Sequence, residues 1–291
     1  MEIEEPGEST YIIDPESPSE LARLTNQDRF ITREMGGPLA GIDNPQALHN
    51  ILDLGCGPGG WVLDTAFEYP HIEVAGVDIS RIMVDYANAR ARTQRLPNAS
   101  FGVMDITQPL DFSDASFDMI NARFLVAVLR REAWAPFIAE CTRLLHPGGI
   151  LRLTDMVEPG MSTSPALEQL SAILFRALWK TGYGFSPNGL TSDMAHPLPR
   201  LMRKAGYTNM RHAAYALEFS ADTDVWADIY HNVEVGFYLA RPFLIKVGAT
   251  TEEEMERLYQ QALIEMHAQD FRGTWLYATF WGNKPDTAKG S

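Results

Sequence analysis

Residues 51–78 constrain the fold of this chain more than any other stretch. Ile51-Leu52-Asp53-Leu54 is a short apolar run ending in Gly55-Cys56-Gly57-Pro58-Gly59-Gly60. A helical segment follows, and a second apolar run, Val74-Ala75-Gly76-Val77, ends in Asp78. A strand, a glycine turn, a helix and a second strand closing in an acid make a parallel β-α-β crossover. Glycines without Cβ atoms permit the tight turn and a close approach of backbone to ligand. The turn opens a helix whose first N–H groups have no partner within the helix. An acid about twenty residues past the glycines is placed to accept hydrogen bonds from the two hydroxyls of a ribose. By itself, Gly55-x-Gly57-x-x-Gly60 fits a nicotinamide or flavin dinucleotide as well as a nucleoside cofactor, so the rest of the chain has to choose.

The pattern around this unit predicts strands at 50–54, 73–77, 100–104, 117–122 and 149–154, with helices at 60–69, 80–95 and 132–145. Such alternation implies a parallel sheet covered by helices on both faces, with ligands beyond the carboxyl ends of the strands. After Asp155 the alternation breaks. Helices are expected at 165–180, 193–205, 222–247 and 251–270, a Gly/Pro/Asn-rich loop at 182–189, and strands at 208–218 and 274–281. Upstream, residues 1–20 are acidic and rich in Pro and Ser, and read as loose. Tyr11-Ile12-Ile13 interrupts them as an apolar patch able to dock elsewhere on the protein, and Tyr11 could close over a bound cofactor if this segment folds back. A helix is expected from Ser19, capped by that serine, with Leu21, Leu24, Ile31 and Met35 on one face and Asp28 as the polar exception. Gly36-Gly37-Pro38 ends it. The organisation read from these elements is a loose segment and helix (1–40), a ligand-binding core (41–156), a cap insertion (157–192), a core helix and strand (193–220), a helical cap (221–270), and a last strand and tail (271–291).

At 291 residues the chain suits one enlarged α/β domain. Its formal net charge of -14 argues against nucleic acid and anionic membrane surfaces as partners. The two cysteines, Cys56 and Cys141, are too few for a disulfide framework. Neither a leader nor a spanning segment is read, so the expected address is cytoplasmic.

Further acids and turns follow in order. The third strand runs into Met104-Asp105-Ile106, the fourth, Phe117-Asp118-Met119-Ile120, into Asn121, and Leu145-His146-Pro147-Gly148-Gly149 feeds the fifth. Taken together with Asp53-Leu54-Gly55-Cys56-Gly57-Pro58-Gly59 and Val77-Asp78-Ile79-Ser80, this order resembles the class I S-adenosylmethionine (SAM)-dependent methyltransferases, closely over residues 48–156. The resemblance implies a Rossmann-like, seven-stranded, mostly parallel sheet with an antiparallel last strand, plus helical cap insertions of the small-molecule branch. It implies S-adenosyl-L-methionine as cofactor. By the same resemblance Gly55, Gly57 and Gly59 line the methionine and ribose part, and Asp53 supports the loop. Asp78 holds the ribose diol, Ile79 lies on the adenine, and Asp105 meets the adenine amine with Ile106 beside it. Asn121 faces the methionine ammonium through its backbone carbonyl or its side chain, and Arg33 pairs the methionine carboxylate.

A sulfonium methyl is already electrophilic, so the task is alignment for in-line displacement and exclusion of water. If the nucleophile must lose a proton, His196 beside the 182–189 loop and His231 on a cap helix are the candidate bases; His146 falls on the far side of the sheet. Cap aromatics such as Phe175, Trp179, Tyr183, Trp226 and Phe237 are candidates to line an apolar or aromatic acceptor pocket. Asp155 lacks a partner set for a metal, and none is expected. The expected function is methyl transfer to a small-molecule acceptor. A SAM-fold protein without methyl transfer (a cyclase, or a regulatory subunit) and an NAD-dependent dehydrogenase are the alternatives; the latter lacks a Tyr-x-x-x-Lys. Oligomeric state is open, with a swap of the N-terminal segment onto a neighbour one way to a homo-oligomer.

Overall fold

Residues 11–186 and 188–285 are described in a computed structural model of the chain. The strands are β1 (Asn50–Leu54), β2 (Glu73–Asp78), β3 (Ala99–Val103), β4 (Phe117–Arg123), β5 (Leu145–Ser162), β6 (Thr208–Glu218) and β7 (Gly273–Asn283). They form one seven-stranded sheet in the order β3-β2-β1-β4-β5-β7-β6. The first five run parallel, and β7 is antiparallel to both of its neighbours. The chain leaves β1 toward β2 and β3, then returns to place β4 on the other side of β1. This reversal opens a crevice beyond the carboxyl ends of β1 and β4, where ligands of such sheets bind. Burial on both faces explains the continuous apolar run of β1, in which Ile51, Leu52 and Leu54 are fully buried.

The helices are α1 (Pro18–Glu34), α2 (Gly60–Glu68), α3 (Arg81–Gln94), α4 (Trp134–Leu144), α5 (Pro165–Lys180), α6 (Pro197–Lys204), α7 (Trp226–Lys246) and α8 (Glu252–Met266). Ser17, not Ser19, caps α1: its hydroxyl accepts from the Glu20 N–H, with Pro18 at the first helical position. Proline lacks the amide hydrogen that an interior turn needs and suits only that first turn, so the helix begins there. The expected helix at 193–205 likewise starts at Pro197, and that at 222–247 starts at Trp226. Strand β5 continues to Ser162, past the expected end at 154, because β7 pairs with it as far as Ser162↔Gly273.

The two largest apolar clusters among the described residues hold most of the layers together. One, with Leu52, Ile120, Leu151, Trp134 and Met202, packs α4 and α6 on the sheet. The other, with Phe30, Leu170, Ile229, Leu258 and Trp275, joins α1 to α5, α7 and α8. Full burial of each such side chain contributes about 1.5–3 kcal/mol relative to exposure. Helices α5, α7 and α8 therefore form one layer with α1, and α1, α5 and α7 of this layer roof the crevice. Among the described residues no helix is long and apolar enough to cross a membrane. The first ten residues, expected to be loose, and the tail beyond Pro285 lie outside the described residues.

Candidate active site

A cavity of about 320 Å³ occupies the crevice. Its floor comes from the segments that leave β1, β2, β3 and β4: Gly55–Pro58, Asp78-Ile79, Met104–Thr107 and Arg123–Val128. Its roof comes from Tyr11–Ile13 and Pro15, from α1, and from α5 and α7.

The glycine loop is fastened to the neighbouring strand. The N–H groups of Gly55 and Cys56 both donate to the Val77 carbonyl, at 2.9 and 3.0 Å. Gly55 and Gly57 hold φ of 70° and 52°, a region that costs other residues about 1–2 kcal/mol. Asp78 accepts from the Gly57 N–H and the Ser80 N–H, both at 2.9 Å. Burial pushes its carboxyl above the ordinary range, against the lowering effect of these N–H donors. Ile79 and Ile106 line the cavity beside it, with Asp105 accepting from the N–H and hydroxyl of Thr107 at 2.8 and 2.7 Å.

Several expected residues sit elsewhere. Gly59 caps α2 in the left-handed conformation and faces away from the cavity: a Cβ there would lie 2.6 Å from the Phe101 ring and 2.7 Å from Ala87. It seats the loop on β3 and α3. Asn121 is fully buried behind the floor, and its amide donates to Asp53 at 2.8 Å while its own carbonyl oxygen has no hydrogen-bond partner. It reaches the cavity only through Asp53, which does line it. Arg33 points outward, 59% exposed and next to Glu34. His196 (88% exposed, on Asp193) and His231 (52% exposed, on Glu234) do not line the cavity either. Of the expected aromatics, Phe175 and Phe237 line it; Trp179, Tyr183 and Trp226 do not.

In their place α1 and the end of β4 contribute residues that the sequence reading passed over. Arg123 pairs with Asp28, and also donates to the Thr32 hydroxyl at 3.1 Å. The Asp28 carboxylate covers Gly60 at the N-terminus of α2, so closely that a Cβ on Gly60 would overlap it. The signal was present: Asp28 is the polar exception among Leu21, Leu24, Ile31 and Met35. Asp53 lies among these charges. Burial, with Asp28 and Asp78 adding to it, pushes its carboxyl up to about 7 against the opposing pull of Arg123 and Asn121. The cavity lining thus includes four aspartates (28, 53, 78 and 105) and two arginines (23 and 123) together with an apolar wall. An excess of acid suits a ligand carrying positive charge.

Comparison with known proteins fits this geometry. The family described as a methyltransferase domain matches residues 51–149. A trans-aconitate 2-methyltransferase of Variovorax paradoxus is 30% identical over 205 residues, covering 69% of this chain and 68% of that protein. The chain belongs to the class I SAM-dependent methyltransferases. A second trans-aconitate 2-methyltransferase, from Methylobacterium radiotolerans, is 29% identical over 62% of this chain and 61% of its own length. Aligned regions span between 22% and 61% of the length of several curated relatives. Among solved structures, the YcgJ protein of Bacillus subtilis shares the methyltransferase fold with a TM-score of 0.52 at 18% identity, over 82% of this chain and 93% of that one.

Proposed function

We propose that this methyltransferase binds SAM at the acidic end of the cavity and transfers its methyl group to a small, largely apolar acceptor held at the other end. The observation that carries this is the junction of the two ends in one cavity: the glycine loop and Asp78 open directly onto a wall that includes Leu174, Phe175, Val233 and Phe237. The residues fit the cofactor. Gly55 and Gly57 line the cavity without side chains, leaving room for a methionine and ribose part. Asp78 would hold the ribose diol, and Ile79 and Ile106 would flank an adenine with Asp105 at its edge; all four line the cavity. Arg123, in place of Arg33, has guanidinium N–H groups to spare for the methionine carboxylate. When bound, SAM supplies the methyl group on a sulfonium that needs no activation. What the chain supplies is alignment, exclusion of water beneath α1 and the 11–15 segment, and an acidic surround for the cation.

The name of the two relatives raises a polycarboxylate acceptor as a second reading. Arg23, which is bonded to Asn232 of the cap, weighs against it. All five of its N–H groups are used: two on Glu20 at 2.7 and 2.6 Å, and one each on Gln27, Asn232 and Tyr11. An anion buried there without a free cation would cost several kcal/mol per charge. Incubation with methyl-labelled SAM, offering trans-aconitate in one arm and neutral phenols, alcohols and ketones in the other, tests the reading. Label is expected in organic-extractable neutral product. Label confined to trans-aconitate would replace this acceptor class with the second.

The Asp53 carboxyl gives a pH signature. A cationic ligand favours its ionised form, so SAM affinity is expected to rise by up to about tenfold per pH unit below about 7 and to level off above. Folding has the opposite sign. The folded value lies above the unfolded one of about 3.9, so the contribution to stability is full below about pH 4 and is lost as pH climbs through about 7. Titrations at pH 5.5, 7 and 8 with wild type and Asp53→Asn check both. A wild-type affinity as flat as the variant's would remove Asp53 from the site.

A further inference from the structure

The cavity wall contains one amide whose orientation is fixed from behind. The Gln27 side-chain oxygen, on α1, accepts from Arg23 Nη1 at 2.7 Å and from the Asn232 amide of α7 at 3.0 Å. Arg23 is itself held by both oxygens of Glu20, which is fully buried, and its Nη1 also donates to the Asn232 carbonyl oxygen at 3.3 Å. Two donors on one oxygen decide which end of the amide is which. The Gln27 Nε2 group, with two N–H donors, is turned away from this network, and Gln27 lines the cavity. No partner for Nε2 occurs among the described residues. A donor left without a partner costs about 1–3 kcal/mol once a ligand excludes water from it, so a ligand that fills this end must supply an oxygen.

We propose that Gln27 is a specificity-determining residue: its Nε2 donates to a neutral oxygen, a carbonyl, ether or hydroxyl, on an otherwise apolar acceptor. This rests on the methyltransferase reading above and narrows its acceptor class. Gln27 is assigned to the acceptor because its bonded neighbour Asn232 belongs to the cap, whereas Asp28, the next residue of α1, pairs with Arg123 at the end of β4. A carboxylate is disfavoured because Arg23, the guanidinium bonded to Gln27, is fully committed. Asn232 is a positioning residue, which acts by keeping the amide from flipping.

The test uses the full chain saturated with S-adenosylhomocysteine (SAH) and three probes of one size: 2-acetonaphthone, 2-ethylnaphthalene and 2-naphthoate. The ketone is expected to bind about 3–10-fold more tightly than the hydrocarbon, the worth of one neutral hydrogen bond, and 2-naphthoate most weakly. Gln27→Leu is expected to abolish the preference for the ketone while leaving SAH affinity within about twofold, and Asn232→Ala to reduce the preference in part. Equal binding of ketone and hydrocarbon to wild type, tightest binding of 2-naphthoate, or failure of all three to bind the SAH complex would overturn the proposal. So would a large loss of SAH affinity in Gln27→Leu, which would give the amide to the cofactor. Failure of SAH to bind wild type would instead sink the methyltransferase reading itself.

Discussion

Gly59→Ala is expected to destabilise the fold by about 2–5 kcal/mol. The left-handed conformation, φ 77°, costs an alanine about 1–2 kcal/mol. The new Cβ would also stand 2.6 Å from the Phe101 ring and 2.7 Å from the Ala87 Cβ, a clash of the kind that costs about 1–3 kcal/mol in a packed interior. Neither neighbour can move cheaply. Phe101 lies on β3, paired to Gly76, and Ala87 is a fully buried residue of α3. Urea denaturation would show a lower midpoint at unchanged slope. A loss under about 0.5 kcal/mol, within the range of ordinary surface substitutions, would mean that the loop relaxes away from β3, and that Gly59 is not what seats it.

Asp78→Ala is expected to weaken SAM binding by about 1–3 kcal/mol, the scale for losing hydrogen bonds to a charged group. Its carboxylate has two duties. On the proposed reading it holds the ribose, and it accepts from the Gly57 N–H, so its removal also loosens the turn beside the cavity. Asp78→Asn separates these. It keeps an oxygen for Gly57 but loses the charge, and should fall between wild type and alanine. Unchanged affinity in both variants would take Asp78 out of the site.

The regular half of the molecule was legible because its signals are local. Each strand from β1 to β5 is a short apolar run bounded by turn residues, and the glycine loop announces a backbone that only glycine adopts at Gly55 and Gly57. The acids at the carboxyl ends of β2 and β3 then share a sheet edge by topology alone. What was not legible depends on packing between distant segments. Gly59 looks like its two neighbours in sequence, and only the position of Phe101 reveals that it serves the interior. Asn121 ends a strand as a ligand-facing residue would, but its side chain falls on the Asp53 side of the backbone. His196 and His231 sit beside plausible cap elements, yet both face solvent. The reverse failure concerns α1. Gln27 and Asp28 mean little until that helix is laid across the crevice, and nothing local in the helix specifies the crossing. Asp28 was visible as an acid in an apolar stripe, and an acid so placed has to meet a cation or a ligand.

The central claim is that the glycine loop, Asp78 and the acidic floor form a SAM site. Calorimetric titration of the purified chain with SAM, SAH and NAD in parallel tests it most directly. Micromolar binding of SAM and SAH with no signal from NAD is the predicted result. NAD binding without SAM would contradict it and return the cavity to the dinucleotide reading that the glycine turn alone leaves open.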